Sequence, residues 1–120
     1  MLLNFSSHHF SDTWSAEQLD AARAQFLEVG DMEFPRIDPT ATTAEVKKLA
    51  RYYATEIANT PEIKAVHLMM GEMTFLVAVV NGLKRRKMPV FCTSTKRTVL
   101  EEQDGRKTTQ FEFVQFREYV

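Results

Sequence analysis

The sequence predicts an α/β domain: a Rossmann-like parallel sheet with flanking helices and a C-terminal antiparallel β-hairpin. Two observations carry that prediction. Short apolar runs alternate with stretches whose apolar residues recur at helical spacing, the pattern of successive β-α-β units. The last third of the chain changes character, with two segments flanking Asp104-Gly105, a dipeptide that favours a two-residue hairpin.

The elements follow in order. Leu2, Leu3, Asn4 and Phe5 read as a short buried strand that ends at the polar run Ser6, Ser7, His8, His9. Ser15 reads as an N-cap with Gln18 completing a capping-box pattern. The helix that follows runs from Ala16 to Glu28 with Leu19, Ala22, Phe26 and Leu27 on one stripe, and Gly30 marks its break. A second short strand is expected over 29–34, and Pro35 and Pro39 punctuate the next loop. The second helix begins near Thr43, carries Val46, Leu49, Ala50, Tyr53, Ile57 and Ala58 on one face, and stops at Asn59-Thr60-Pro61. Ala65 to Met70 is a continuous apolar strand of the kind found inside parallel sheets. Gly71-Glu72 makes a tight turn into a third helix, 73–87, whose basic end, Lys84 to Lys87, suits a helix C-terminus. That helix is apolar on nearly all sides until Asn81, which predicts burial against the sheet and a second body such as another subunit. A fourth strand, 90–93, runs into the loop Thr93 to Arg97, and the hairpin strands are expected over 99–103 and 108–116.

Bulk properties bound the function. A chain of 120 residues with no linker-like stretch or repeat reads as one domain, 1–120. Its 44% hydrophobic and 26% charged residues are those of a globular chain, and its longest apolar run, Phe75 to Val80, is far too short for a bilayer. A net charge of −1 disfavours a protein that grips long nucleic acid by neutralising phosphates, while leaving room for a short anion at one local site. One cysteine, Cys92, excludes an internal disulfide and a cysteine-rich zinc centre. With no signal-like leader, a soluble cytoplasmic protein with no membrane partner is expected. P-loop, nucleophile-elbow and dinucleotide fingerprints are missing, so no cofactor is expected.

In a parallel sheet of this type ligands bind beyond the carboxyl ends of the strands. Four loops meet there: Ser6-Ser7-His8-His9, the segment at Arg36, the turn Gly71-Glu72-Met73-Thr74, and Thr93-Ser94-Thr95-Lys96-Arg97. Hydroxyls, helix N-terminal amides, imidazoles and cations together suit a phosphate. Gly71 would let the backbone approach closely. Glu72 is discordant beside an anion, and three roles are open to it: holding ribose hydroxyls or a base amino group, accepting a proton, or capping the helix. Each feature also has a plain structural explanation. The serines suit a turn, and His8 and His9 a solvated loop, with His8 ahead of His9 as a ligand contact. His67, inside an apolar strand, reads as a satisfied core histidine, and Met69, Met70 and Met73 read as core filler. No metal site is expected, because adjacent histidines seldom share an ion and no third ligand is evident.

The phrases Asn4-Phe5-Ser6-Ser7-His8, Ala65-Val66-His67-Leu68-Met69-Met70-Gly71-Glu72-Met73-Thr74-Phe75 and Phe116-Arg117-Glu118-Tyr119 resemble a small CRISPR-associated family of type III systems grouped with the candidate ring nucleases. The stretch Val90 to Arg97 and the hairpin at Asp104-Gly105-Arg106-Lys107 fit it too, so the resemblance covers nearly the whole chain. It implies a CARF-like (CRISPR-associated Rossmann fold) domain that pairs as a homodimer. Across its two-fold axis the dimer would bind a cyclic oligoadenylate, most often cyclic tetra-adenylate. It further implies metal-independent cleavage in which a ribose 2′-hydroxyl attacks the adjacent phosphate, switching off antiviral signalling. On that basis His8 is the expected general acid or base, and Glu72 holds a ribose hydroxyl. Lys96 or Arg97 and the amides of Met73 and Thr74 stabilise the phosphate, while Ser6, Ser7 and Ser94 orient the backbone. Two alternatives stand beside it: a binder that sequesters or senses the messenger without cutting it, and a Rossmann domain for an unrelated small ligand.

Overall fold

The fold is described from a computed structural model over residues 1–6 and 10–120. Its strands are β1 (Leu2–Ser6), β2 (Val29–Glu33), β3 (Ala65–His67), β4 (Val90–Glu101) and β5 (Lys107–Glu118). Its helices are α1 (Ala16–Phe26), α2 (Thr43–Ala58) and α3 (Met73–Arg85), and a single 3-10 turn, Ser11–Thr13, precedes α1. The sheet order is β2-β1-β3-β4-β5, parallel throughout except for the antiparallel β4–β5 pair. The α/β class with its C-terminal hairpin is therefore as the sequence predicts. The chain leaves β1 toward β2 on one side and returns through α2 to β3 on the other. That reversal between β1 and β3 opens a crevice at their carboxyl ends.

Alternation along the strands divides the core in two. Leu3, Phe5, Val66, Leu68 and Val90 join Ala50, Ala54, Ile57, Phe75, Val79 and Leu83 in one large apolar cluster under α2 and α3. Phe5, Phe34 and Phe75 meet there with ring centroids 5.0 to 6.4 Å apart. Burial on this scale contributes about 1.5–3 kcal/mol per large side chain. α2 and α3 touch closely at Gly82, where an added Cβ would lie 3.0 Å from the Ala54 Cβ. The other face is smaller: Leu2, Ala22 and Ala65, ringed by Trp14, Phe26, Val29, Phe91 and Phe116.

Several boundaries differ from the sequence reading. α1 stops at Leu27, which takes a positive φ of 71° and donates its amide to the Arg23 carbonyl; Gly30 instead lies in β2 against Met1. β3 ends at His67 rather than Met70, and Met69, Met70 and Met73 are exposed rather than core filler. The largest difference is β4. Thr93 to Arg97 is not a loop but the middle of a 12-residue strand. It outruns β3 and is held beyond it by β5 alone, from Phe91↔Glu118 to Glu101↔Lys107. Five strands result, because the fourth predicted strand and the first hairpin strand are one. The turn closes around Gln103, Asp104 and Gly105, with the Glu102 amide donating to the Arg106 carbonyl at 2.8 Å and Gly105 at φ 83°. It is thus a three-residue hairpin loop, not a two-residue one.

Candidate functional site

A cavity of about 730 Å³ opens on the α1 side of the sheet, at the carboxyl ends of β1 and β3 and beside the part of β4 that runs past them. That volume is in the usual range for small-molecule sites. Its walls come from Trp14 and Gln18, from Met69 and Met70 after β3, and from Phe111 and Phe113 of β5. Its floor is polar: Asn4, Ser6, His67 and Thr93 are all buried.

These floor residues arise from register. Asn4 lies beside Asp31 and His67 in neighbouring strands, so all three point to one face, and Thr93 lies two residues past Phe91, the partner of His67. A hydrogen-bonded row therefore crosses the sheet. Asn4 Nδ2 donates to Asp31 Oδ1 at 3.0 Å. Asn4 Oδ1 and His67 Nδ1 are 2.9 Å apart, and His67 Nε2 and Thr93 Oγ1 are 2.7 Å apart. Gln18 Nε2 from α1 donates to the same Thr93 hydroxyl at 3.0 Å.

The direction of the row follows from Asp31, since an ionised carboxylate only accepts. Burial pushes the Asp31 pKa up, but hydrogen bonds from the Ser11 hydroxyl, the Ser11 amide and Asn4 outweigh it, and the net shift is downward. Asn4 must then turn its amino group to Asp31 and its carbonyl to His67. His67 carries its proton on Nδ1 and accepts at Nε2 from the Thr93 hydroxyl, which in turn accepts from Gln18. Burial lowers the His67 pKa to about 4, so the ring is neutral at physiological pH. Trp14 shields it edge-on, with ring centroids 5.0 Å apart. As the sequence implied, His67 is a satisfied histidine, yet it also lies in the floor of the cavity.

The predicted site residues are only partly brought together. Ser6, Thr93 and Thr95 line the cavity. Ser94 and Lys96 alternate to the opposite face of β4, while Arg97 shares the face of Thr95. Lys96 and Arg97 form no ion pair with a described residue. Arg36, Gly71 and Glu72 line a neighbouring crevice of about 360 Å³ together with Met70, which borders both spaces. Gly71 is required by packing, because a Cβ there would fall 2.3 Å from the Phe34 ring. Glu72 is the N-cap of α3: its carboxylate accepts from the amides of Thr74 and Phe75 and from the Thr74 hydroxyl. These bonds, the Thr74 hydroxyl first, lower its pKa. The Thr74 amide expected to meet a phosphate is thus already bound to a carboxylate. Met73 and Thr74 face a separate groove between α2 and α3, with Lys47, Arg51 and Arg85. Ser7, His8 and His9 lie outside the described residues. Among the described residues no group of three or more His, Cys, Asp or Glu side chains is arranged to hold a metal ion.

Sequence reasoning missed Asn4, Trp14, Gln18, Asp31, Phe111 and Phe113. One signal was present: Leu2, Asn4 and Ser6 alternate onto one face, which places an amide and a hydroxyl inside a strand that is otherwise apolar.

Fold and cavity together define a doubly wound α/β domain with a polar-floored cavity at its switch point. A family model matches residues 1–117, and the chain belongs to that family, described as the uncharacterized protein MJ1673 family. No curated protein matches the chain. No described helix is long and apolar enough to cross a membrane.

Proposed function

We propose that this chain binds a cyclic oligoadenylate, most naturally cyclic tetra-adenylate, and opens it in the cytoplasm as part of type III CRISPR signalling. The observation that carries this reading is the cavity itself. It joins a buried polar floor to the aromatic walls Trp14, Phe111 and Phe113, the combination that receives a nucleobase. Arg97, on the face of Thr95, and Arg36, in the adjoining crevice, supply cations within the same edge for phosphates. The sequence resemblance supplies the adenylate and the ring. A homodimer would set two such cavities around a two-fold axis, matching the symmetry of a four-membered ring.

In the reaction a ribose 2′-oxygen forms a bond to the adjacent phosphorus while the bond from phosphorus to the next 5′-oxygen breaks. The proton leaves the 2′-hydroxyl and finishes on the 5′-oxygen, giving a cyclic phosphate and a linear product. The protein's part is alignment and charge stabilisation. Arg97 takes the phosphate role and His8 the proton transfer.

A second reading, a non-catalytic binder, is favoured by one observation. His67 is neutral with both ring nitrogens engaged, and Glu72 is occupied as a helix cap. Neither is a free base.

The test mixes the protein in small molar excess with cyclic tetra-adenylate without metal, following the nucleotide by chromatography and the complex by native mass. Linear products on a dimer support cleavage. Intact ring recovered from a stable complex supports sequestration, and absence of binding sinks both.

A further inference from the structure

We infer that the Gln18 side-chain amide reads the base, and that the row from Asp31 to Thr93 fixes which way that amide faces, so that the cavity takes a 6-amino purine and rejects a 6-keto purine. The inference rests on the nucleotide-binding reading above.

The argument begins at the carboxylate. Asp31 sets Asn4, Asn4 sets His67, and His67 takes the Thr93 proton. With its proton committed, the Thr93 oxygen offers only acceptor capacity to Gln18, and the Gln18 amino group meets it at 3.0 Å. The Gln18 carbonyl then has no described partner and is left to the cavity, beside the second hydrogen of its amino group. An acceptor next to a donor is the edge that a carboxamide uses to pair with adenine, accepting from the 6-amino group and donating to a ring nitrogen.

A free glutamine would read a keto base equally well by rotating its amide through half a turn. Here that rotation would set Gln18 Oε1 against Thr93 Oγ1, two acceptors 3.0 Å apart with no proton between them. The lock extends over four strands and one helix, and each buried member is held on both sides. Selectivity therefore originates at Asp31, on a strand that lines no part of the cavity.

Trp14, the sole tryptophan and a wall residue, gives a fluorescence readout. Cyclic tetra-adenylate and cyclic tetra-inosinate, which differ in amino against keto at position 6 and hence in a bare N1 against an N1–H, are titrated against wild type, Thr93→Val, Thr93→Ser and Gln18→Leu. Wild type should favour the adenylate ring by about tenfold or more, the penalty for facing like groups in a polar site. Thr93→Val frees the amide to turn, so affinity for the inosinate ring should rise and the ratio fall toward one. Loss of stability would not produce that gain. Thr93→Ser should keep the wild-type ratio, and Gln18→Leu should abolish it. Nitrogen NMR of the unliganded protein should find the His67 proton on Nδ1. Equal binding of both rings by wild type, a ratio unmoved in Thr93→Val, or a proton on Nε2 overturns the inference while leaving the messenger site standing. If wild type binds neither ring, the nucleotide reading falls and this inference with it.

Discussion

The two faces of the sheet are built from the same strands and obey opposite rules. Beneath α2 and α3 every fully buried side chain among the described residues is apolar, and the rings of Phe5, Phe34, Tyr53 and Phe75 form the centre. Beneath α1 the apolar cluster is small, and Asn4, His67 and Thr93 are buried instead. A buried polar group costs about 1–3 kcal/mol when its partner is missing, so a row of them is tolerated only if every member is satisfied. It is: among the described residues no buried side-chain nitrogen or oxygen lacks a hydrogen bond. Stability is thus concentrated on one face. The other exchanges apolar contact for an open cavity with directional chemistry.

Substitutions should separate the two. The largest loss is expected on the dry face. Phe75→Ala removes a fully buried ring and should cost about 3–5 kcal/mol in urea unfolding, with no change in the pH dependence of stability. A loss below 1 kcal/mol would mean the face repacks freely.

The polar face should reveal itself by pH. The unfolded His67 takes a proton near 6.5, whereas the folded ring resists it until about 4. Between those values the unfolded chain binds more protons, so stability is full above pH 6.5 and declines as pH falls toward 4, by about 3 kcal/mol in total. Asp31 and Glu72 are lowered carboxylates; their contributions persist above their unfolded values and vanish only at still lower pH. His67→Phe should flatten the decline between pH 6.5 and 4, and an unchanged slope in that variant would assign it elsewhere.

Asn4→Ala should cost about 2 kcal/mol, because it strands a buried His67 N–H, and should lower affinity for any nucleotide more than it lowers the melting temperature of the α2–α3 face. Hydrogen exchange resolved by segment checks this. The smallest effect is at a helix end. Thr42 and Glu45 cap α2 reciprocally, and Thr42→Ala should cost about 1 kcal/mol without altering the cavity. An effect on nucleotide affinity would show that the two faces are coupled.

Much of the fold was legible because its signals are local. Helical spacing located α1, α2 and α3, the Ser15 cap started α1 where expected, and Asp104-Gly105 marked the hairpin. Strand lengths were less legible. β4 continues past residue 93 because β5 pairs with it along eleven residues, Phe91 to Glu101, and no property of Thr93 to Arg97 taken alone announces that partner. The site was legible by place but not by membership. The rule for strand ends located the edge, while the residues that build the floor are chosen by register between strands distant in sequence. Phe113 and Phe116 illustrate why. They share a face only because the ladder skips Val114 between the pairs Ser94↔Gln115 and Thr95↔Phe113, which breaks the two-residue period that a sequence reading assumes.

The polar row also has a kinetic meaning. Its contacts join residues 63 apart at Asn4 and His67 and 75 apart at Gln18 and Thr93, among the longest separations in the chain. Contacts of that range form late, after their loops have been closed by other structure. The hairpin and the helices have the means to form early, but the floor of the cavity does not exist until β1, β3, β4 and α1 have all docked. Recovery of ligand binding during refolding would therefore time the completion of the molecule, lagging behind the return of helix.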